Sequence, residues 1–269
     1  MNDHYRAFFG LAKEPFTTDI TCADILKTPE LLDVKVRFDY VTRLGAIGIV
    51  TGEVGSGKST AVRYAMDTLH PSEYRALYIT ASSGSMMEFY RQLRDALNIY
   101  LSSNSKTVMV KTIKKEIVNL VLEKKQKVVL IVDEASLMRL EVFTELHTLC
   151  QFEQDAKPWL PMILVGQTSL VDKLTFRSSQ PLASRIIAKC HLEGVDLAGM
   201  ETYLRHHLAI AGVERNLFDP SSVIAIHQGS GGLFRKSNHL ARGGLIAAAA
   251  EQSKIVSAEH IRLAATEIF

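Results

Sequence analysis

One stretch constrains the fold of this chain more than any other: Gly52-Glu53-Val54-Gly55-Ser56-Gly57-Lys58-Ser59. It matches the pattern GxxxxGK[ST] at every position, and it lies between a predicted buried strand, 46–51, and a predicted helix, 58–69. Glycines allow backbone N–H groups to close around phosphate oxygens, and a helix N-terminus favours their negative charge. The stretch therefore predicts a nucleotide-binding loop in an α/β fold, and we name it the phosphate loop.

The polar residues of the phosphate loop have expected roles toward a nucleoside triphosphate. Lys58 would reach the β- and γ-phosphates, and Ser59 would ligate Mg²⁺, which retains most of its waters and needs few protein oxygens. ATP and Mg²⁺ are therefore the predicted cofactors. The predicted nucleotide-binding residues of this segment are Gly52, Glu53, Val54, Gly55, Ser56, Gly57, Lys58, Ser59 and Thr60.

A second acidic element follows the most apolar strand of the sequence. The run 128–132, Val-Val-Leu-Ile-Val, is typical of a strand buried in a parallel sheet, and it ends in Asp133 and Glu134. Carboxylates at the carboxyl end of such a strand lie on the ligand side of an α/β sheet. We expect Asp133 to hold Mg²⁺ through water and Glu134 to activate the water that attacks the γ-phosphate. This pair favours an ATP hydrolase over a small-molecule kinase.

Strand and helix patterns alternate along most of the chain, which predicts a five-stranded parallel sheet covered on both faces. After about Val195 only helical patterns remain, so we expect a small C-terminal helical domain. The predicted segments are 1–45, packing on the catalytic core, 46–195, the α/β domain, and 196–269, the helical domain. The five predicted strands are 46–51, 76–80, 128–132, 162–166 and 186–192.

Composition limits the remaining choices. The 269 residues are 47% hydrophobic with a formal net charge of only +2, which suits a globular protein whose nucleic-acid contacts would come from a local patch. The three cysteines are far apart in sequence and predict free thiols in a reducing compartment. No apolar run approaches the ~18 residues of a membrane span, and the polar N-terminus is not a signal peptide. The expected location is cytoplasmic, without membrane contact.

Six segments, spread over nearly the whole chain, are typical of a known family: YRAFFGLAKEPF, GIVTGEVGSGKST, VVLIVDEASLM, MILVGQ, PLASRI and GSGGLFRKSNHLA. Through these segments the sequence resembles the AAA+ ATPases, and specifically their ExeA-type group. The two nucleotide motifs are common to many proteins, whereas the N-terminal FGL…PF element and the segment GGLFRKSNHLA are more particular to this group. The resemblance implies a P-loop AAA+ domain with a C-terminal helical lid.

The resemblance also implies further site residues. Gln167 falls where such proteins carry a polar sensor of the γ-phosphate, and Arg235 falls where a lid arginine reaches the phosphates. Arg185 matches the arginine finger that acts on the nucleotide of a neighbouring subunit, with Arg177 as the alternative. A finger supplied between subunits implies a homo-oligomer, either a ring or a helical filament.

Three uses of such an ATPase remain open from the sequence. About 34 residues follow Arg235 and none spans a bilayer, which favours the transposition helpers (MuB, TnsC, TniB and IstB types) over the membrane-anchored secretion ATPases of the ExeA/GspA type. A helicase loader is a third possibility. The preferred prediction is an ATPase that binds double-stranded DNA without sequence specificity, in an ATP-dependent oligomer, and regulates transposition by selecting a target and recruiting a transposase.

A lysine cluster supplies the independent signal for DNA. Residues 106–127 contain seven lysines against two glutamates, enough to neutralise several phosphates. The alternative is a solvated face of an amphipathic helix. Lysines at a helix C-terminus interact favourably with the helix dipole, which accounts for them without DNA. The lysines nearer the loop at 102–105 are therefore the better candidates for DNA contact. The predicted DNA contacts are Lys106, Lys111, Lys114 and Arg91.

Overall fold

A computed structural model of the protein describes residues 3–267, so residues 1–2 and 268–269 of the predicted terminal segments lie outside the described residues. The chain divides into two compact units. The sheet unit is Thr28–Gly52 with Lys58–Leu192. The helical unit is the described part of Met1–Lys27, Glu53–Gly57 and Glu193–Phe269.

The sheet unit is built on five parallel strands in the order β2-β3-β4-β1-β5. Strand β3 and strand β4 are buried along nearly their whole length, which explains their continuous apolar sequence. Because every strand runs in the same direction, all five carboxyl ends meet at one edge of the sheet. The strands are β1 (Ile47–Gly52), β2 (Tyr74–Thr80), β3 (Lys127–Asp133), β4 (Met162–Gly166) and β5 (Ile186–Leu192).

The first helix of the sheet unit shows how local sequence sets helix ends. Helix α2 (Pro29–Leu44) begins with Thr28, whose hydroxyl accepts a hydrogen bond from the Leu31 N–H at 3.2 Å, and with proline at the first turn. It ends at Gly45, whose φ of 70° is left-handed. The other helices of this unit are α3 (Lys58–Asp67), α4 (Met86–Ala96), α5 (Lys106–Leu122), α6 (Leu140–Leu146), α7 (Ser169–Thr175) and α8 (Gln180–Ala183).

The helical unit has its own apolar core. Its helices are α1 (Asp3–Phe9), α9 (Leu197–Ile210), α10 (Pro220–Ser230), α11 (Phe234–Ala250) and α12 (Ala258–Glu267). The N-terminal residues Tyr5, Phe9 and Phe16 are buried in that core together with residues of α9 to α12. The N-terminal prediction therefore changes: residues 3–27 pack with the C-terminal helices, and only α2 packs in the sheet unit. The sequence does not specify which of the two apolar cores the segment joins.

The fold class predicted from the sequence is confirmed. Each of the five predicted strands is present, with bounds that differ from the prediction by no more than two residues. The part after β5 is helical within the described residues, as expected. Among residues 3–267, none of the helices combines the length and the hydropathy that crossing a membrane requires.

Candidate nucleotide-binding site

Lys58 and Ser59 open helix α3 at the carboxyl edge of the sheet. The Lys58 side chain is 8% exposed, and its Nζ donates a hydrogen bond to the Gly52 carbonyl oxygen at 3.0 Å. This contact directs the ammonium group back along the phosphate loop, because Gly52 is the last residue of β1. A buried lysine at a helix N-terminus provides a fixed positive charge where backbone N–H groups also point outward.

The Asp133 carboxylate accepts three hydrogen bonds at the end of β3. Its Oδ2 accepts one from the Ser59 hydroxyl at 2.9 Å and another from the Tyr78 hydroxyl, and its Oδ1 accepts the Glu134 N–H at 2.8 Å. The residue is only 7% exposed. The structure thus brings together Ser59 and Asp133, the two residues predicted to ligate Mg²⁺, although they are far apart in sequence.

Glu134 has a left-handed backbone, with φ of 53° and ψ of 31°. A non-glycine residue in this region costs of order 1–3 kcal/mol and is often found at a functional site. The conformation turns the chain sharply from β3 into a 3₁₀ turn at Ala135–Leu137.

Gln167 follows β4 directly and lies beside the same turn. Its N–H donates to the Ser136 hydroxyl at 3.3 Å. Gly166 permits this approach, because a Cβ there would lie 2.9 Å from the Ser136 nitrogen. Lys173 on α7 donates to the Ser136 and Met138 carbonyl oxygens at 2.6 and 2.5 Å, which fixes α7 against the turn. The predicted sensor thus lies next to the acidic segment.

The middle of the phosphate loop, Glu53–Gly57, packs against the start of α11 within the helical unit. The Arg235 N–H donates to the Gly55 carbonyl oxygen at 3.3 Å. Gly55 has φ of 87°, and a Cβ there would lie 2.8 Å from the Arg235 Cβ. A Cβ at Gly57 would likewise lie 3.2 Å from the Phe234 ring. Arg235 is therefore a neighbour of the loop through its backbone, and its side chain is exposed.

The residues of the loop fit a bound phosphate chain. The Ser56 hydroxyl is buried and has no hydrogen-bond partner among the described residues. An unsatisfied buried hydroxyl costs about 1–3 kcal/mol, and a phosphate oxygen is an acceptor that would satisfy it. The hydroxyl and carboxylate of Ser59 and Asp133 are hard oxygen donors of the kind that Mg²⁺ prefers. Both observations fit ATP·Mg²⁺ at this loop.

The two finger candidates differ in their surroundings. Arg185 lies just before β5, and its guanidinium forms an ion pair with Asp155. This hydrogen bond lowers the pKa of Asp155 below its ordinary value and raises the pKa of Arg185. Arg177 is exposed on a 3₁₀ turn, Arg177–Ser179. Arg185 lies at the amino end of β5, because that strand begins at Ile186.

The predicted DNA contacts are not equivalent. Lys106 forms an ion pair with Glu145 at 2.6 Å. Lys114 donates to the Gln151 carbonyl oxygen at 2.9 Å, and burial lowers its pKa. Lys111 and Arg91 are exposed on α5 and α4. The internal contacts of Lys106 and Lys114 make Lys111 and Arg91 the stronger candidates.

Sequence reasoning missed several residues around the predicted site. Tyr78 contacts Asp133, Lys173 fixes the turn after Glu134, Asp155 pairs with Arg185, and Phe234 lies against Gly57. Three of them act through contacts that depend on tertiary structure, so no local pattern indicated them. Phe234 alone had a signal, since it directly precedes the predicted Arg235.

Comparison with known proteins agrees with this geometry. Residues 42–174 match the family model described as AAA domain. The chain is 28% identical over 265 residues to General secretion pathway protein A of Aeromonas hydrophila, across 98% of this chain. The match spans 48% of that relative, so the chain corresponds to about half of its length.

Solved structures share the fold at low sequence identity. Cdc6p from Pyrobaculum aerophilum superposes with a TM-score of 0.72 and 15% identity, over 94% of this chain and 70% of that chain. The Aeropyrum pernix ORC1 protein, solved in complex with DNA, superposes with a TM-score of 0.67 and 14% identity, over 94% of this chain and 68% of that chain. The Thermotoga maritima RuvB branch migration motor superposes with a TM-score of 0.54 and 13% identity, over 88% of this chain and 69% of that chain. At these identities the solved structures show that the fold is shared.

Proposed function

We propose that the protein binds ATP·Mg²⁺ and hydrolyses ATP to ADP and phosphate. The hydrogen bond of 2.9 Å between the Ser59 hydroxyl and Asp133 Oδ2 carries the proposal, because it joins the end of the phosphate loop to the acidic strand end. Lys58 would bind the phosphates, and Ser59 with Asp133 would hold the metal directly and through water. The metal would neutralise charge that develops on the phosphoryl oxygens.

Glu134 is the proposed general base. It would accept a proton from the attacking water as the water's oxygen bonds to the γ-phosphorus and the bond to the β–γ bridging oxygen breaks. Gln167 would orient that water or the γ-phosphate, since it follows β4 beside the same turn. Arg235 would reach the phosphates from the start of α11, where its N–H already contacts Gly55.

The direct test is ATP turnover with and without Mg²⁺. Lys58→Ala should abolish nucleotide binding or hydrolysis, since it removes the fixed cation of the loop. Lys157→Ala is the matched control, because Lys157 is an exposed lysine of the same unit. Equal turnover in wild type and Lys58→Ala, or turnover that persists in EDTA, would contradict the proposal.

We further propose that the ATP cycle controls an oligomer on double-stranded DNA, with regulation of transposition and recruitment of a transposase as its purpose. The exposed cations of Lys111 and Arg91 support contact with the phosphate backbone of DNA. Such binding would be steeply salt-dependent and largely independent of the DNA sequence. The fold shared with a structure of ORC1 in complex with DNA is compatible with this use.

The relative supports a second candidate function, a secretion-associated ATPase without a DNA partner. General secretion pathway protein A matches 98% of this chain at 28% identity. A helicase loader is the third candidate that the sequence leaves open. All three candidates share the proposed ATP chemistry and differ in the partner that the assembly binds.

Binding of random-sequence duplex DNA would separate these candidates. It should be measured with ATP, with ADP and without nucleotide, across a salt series. The DNA proposal predicts ATP-dependent, salt-sensitive binding that the double variant Arg91→Ala/Lys111→Ala weakens, while the charge-matched Lys27→Ala/Lys157→Ala variant retains it. Absence of binding at low salt in every nucleotide state, with ATP turnover intact, would contradict DNA binding and favour the secretion candidate. Loading of a replicative helicase onto DNA would instead favour the third.

A further inference from the structure

Tyr78 reaches the metal-binding carboxylate from the neighbouring strand. In the parallel pairing of β2 with β3, Thr80 is opposite Asp133 and Tyr78 is opposite Ile131. Residues two apart in a strand share one face, so the Tyr78 side chain emerges on the same face as Thr80 and can extend diagonally along the strand. Its hydroxyl donates a hydrogen bond to Asp133 Oδ2.

The hydrogen bonds at Asp133 divide into two kinds. The Glu134 N–H on Oδ1 comes from the next residue in the chain. The two donors to Oδ2 are both side-chain hydroxyls, from Ser59 and Tyr78. Ser59 is also a proposed metal ligand, so its hydroxyl must turn partly toward the metal when ATP·Mg²⁺ binds. Tyr78 is then the side-chain donor that continues to fix the orientation of the carboxylate.

Packing alone does not account for a tyrosine at this position. Tyr78 is 42% exposed, whereas its neighbours Leu77 and Ile79 are 1% and 4% exposed. The side chain therefore contributes little to the apolar core of the sheet unit. Its described polar contact is to the carboxylate that the proposed site uses.

We infer that Tyr78 is a positioning residue for the metal-binding carboxylate: its hydroxyl keeps Asp133 oriented toward the metal when Ser59 becomes a ligand. The inference rests on the proposed function, since it concerns binding of Mg²⁺ with ATP. Partners that orient a metal ligand typically contribute about 10- to 100-fold to metal affinity. Tyr78→Phe removes only the hydroxyl and retains the ring, so the strand should fold as before.

The experiment measures metal binding rather than turnover. Mn²⁺ is titrated into the protein with ATP and followed by electron paramagnetic resonance, and ATP binding in EDTA is measured separately. Tyr78→Phe should raise the Mn²⁺ concentration at half-saturation about tenfold and leave metal-free ATP affinity unchanged. Turnover should recover at high Mg²⁺. Tyr100→Phe is the control, because Tyr100 is fully exposed.

Two outcomes would overturn the inference in distinguishable ways. A wild-type Mn²⁺ midpoint in Tyr78→Phe, while Ser59→Ala raises it, would show that Tyr78 does not position the carboxylate and would leave the proposed function intact. Absence of ATP-dependent Mn²⁺ binding in the wild type would contradict the proposed function, and the inference with it.

Discussion

Acidification should destabilise the helical unit through the buried side chain of His207. His207 on α9 is 4% exposed, and its ring lies between Phe16 and Tyr203, with centroid distances of 5.3 and 4.4 Å. Burial, and then the neighbouring His206, lowers the pKa of His207 from 6.5 to about 4. The folded unit therefore requires a neutral imidazole at this position.

The magnitude follows from the two pKa values. As pH falls through 6.5 the unfolded chain takes up a proton at His207, whereas the folded chain does so only near pH 4. The depressed folded pKa thus contributes stability that is fully present above about pH 6.5 and lost as pH falls toward 4. A difference of one pKa unit between the folded and unfolded states corresponds to 1.36 kcal/mol, so the unfolding free energy falls by about 3 kcal/mol over this pH window.

The assay compares wild type with His207→Phe, which retains an aromatic ring and removes the titration. Amide hydrogen exchange across α9, corrected for intrinsic rates, gives the opening free energy of the helical unit from pH 7.5 to 4. The single tryptophan, Trp159, lies in the sheet unit, so its fluorescence during urea unfolding gives an internal control. Wild type should lose about 3 kcal/mol more than His207→Phe in this window.

The result that would refute this reasoning is an identical pH dependence of α9 opening in the two proteins. His206→Gln tests the smaller contribution: it removes one neighbouring charge and should retain most of the slope, because burial is the larger cause. If the pH dependence of α9 opening were lost in His206→Gln but retained in His207→Phe, the effect would belong to His206 and the reasoning about His207 would be wrong.

Three further predictions concern the site. Glu134→Gln should retain ATP binding and lower phosphate release about 10²- to 10⁴-fold; unchanged release would exclude Glu134 as the base. Arg185→Ala should lower turnover of the assembled protein by about 10³-fold or more while nucleotide affinity of the monomer stays constant, and the same result in Arg177→Ala instead would assign the finger there. Gly55→Ala should destabilise the loop by about 1–2 kcal/mol and weaken ATP binding, because its φ is 87° and its Cβ would meet Arg235; calorimetry that finds wild-type affinity would contradict this.

The strands were predictable because burial on both faces leaves a direct trace in sequence. The apolar runs of β3 and β4 are typical of strands buried on both faces, and β5 alternates because one of its faces is exposed. Strand order was not predictable, since it depends on pairing between segments far apart in the chain. Segment 1–45 was predicted to pack on the catalytic core, but which of two apolar cores it joins is a tertiary property.

The candidate site likewise contains some residues that the sequence predicted and others that it did not. Ser59 and Asp133 were predicted because the motif and the strand end each have a local pattern, and the fold then joins them at 2.9 Å. Tyr78 and Asp155 were missed because their contacts cross 55 and 30 residues of sequence. Their roles depend on strand register and loop conformation, which a single sequence does not specify.

Arg185 lies far from the phosphate loop of its own chain. In the pairing of β1 with β5, Ile47 is opposite Ile186 and Gly52 is opposite Leu192, so Arg185 lies at the amino edge of the sheet. The phosphate loop begins about six residues farther along the strands, a span of roughly 20 Å at about 3.3 Å per residue. An arginine side chain does not cover that distance. If Arg185 stabilises the transition state, it therefore does so for a neighbouring subunit, and its ion pair with Asp155 must be exchanged for phosphate contacts as the subunits assemble.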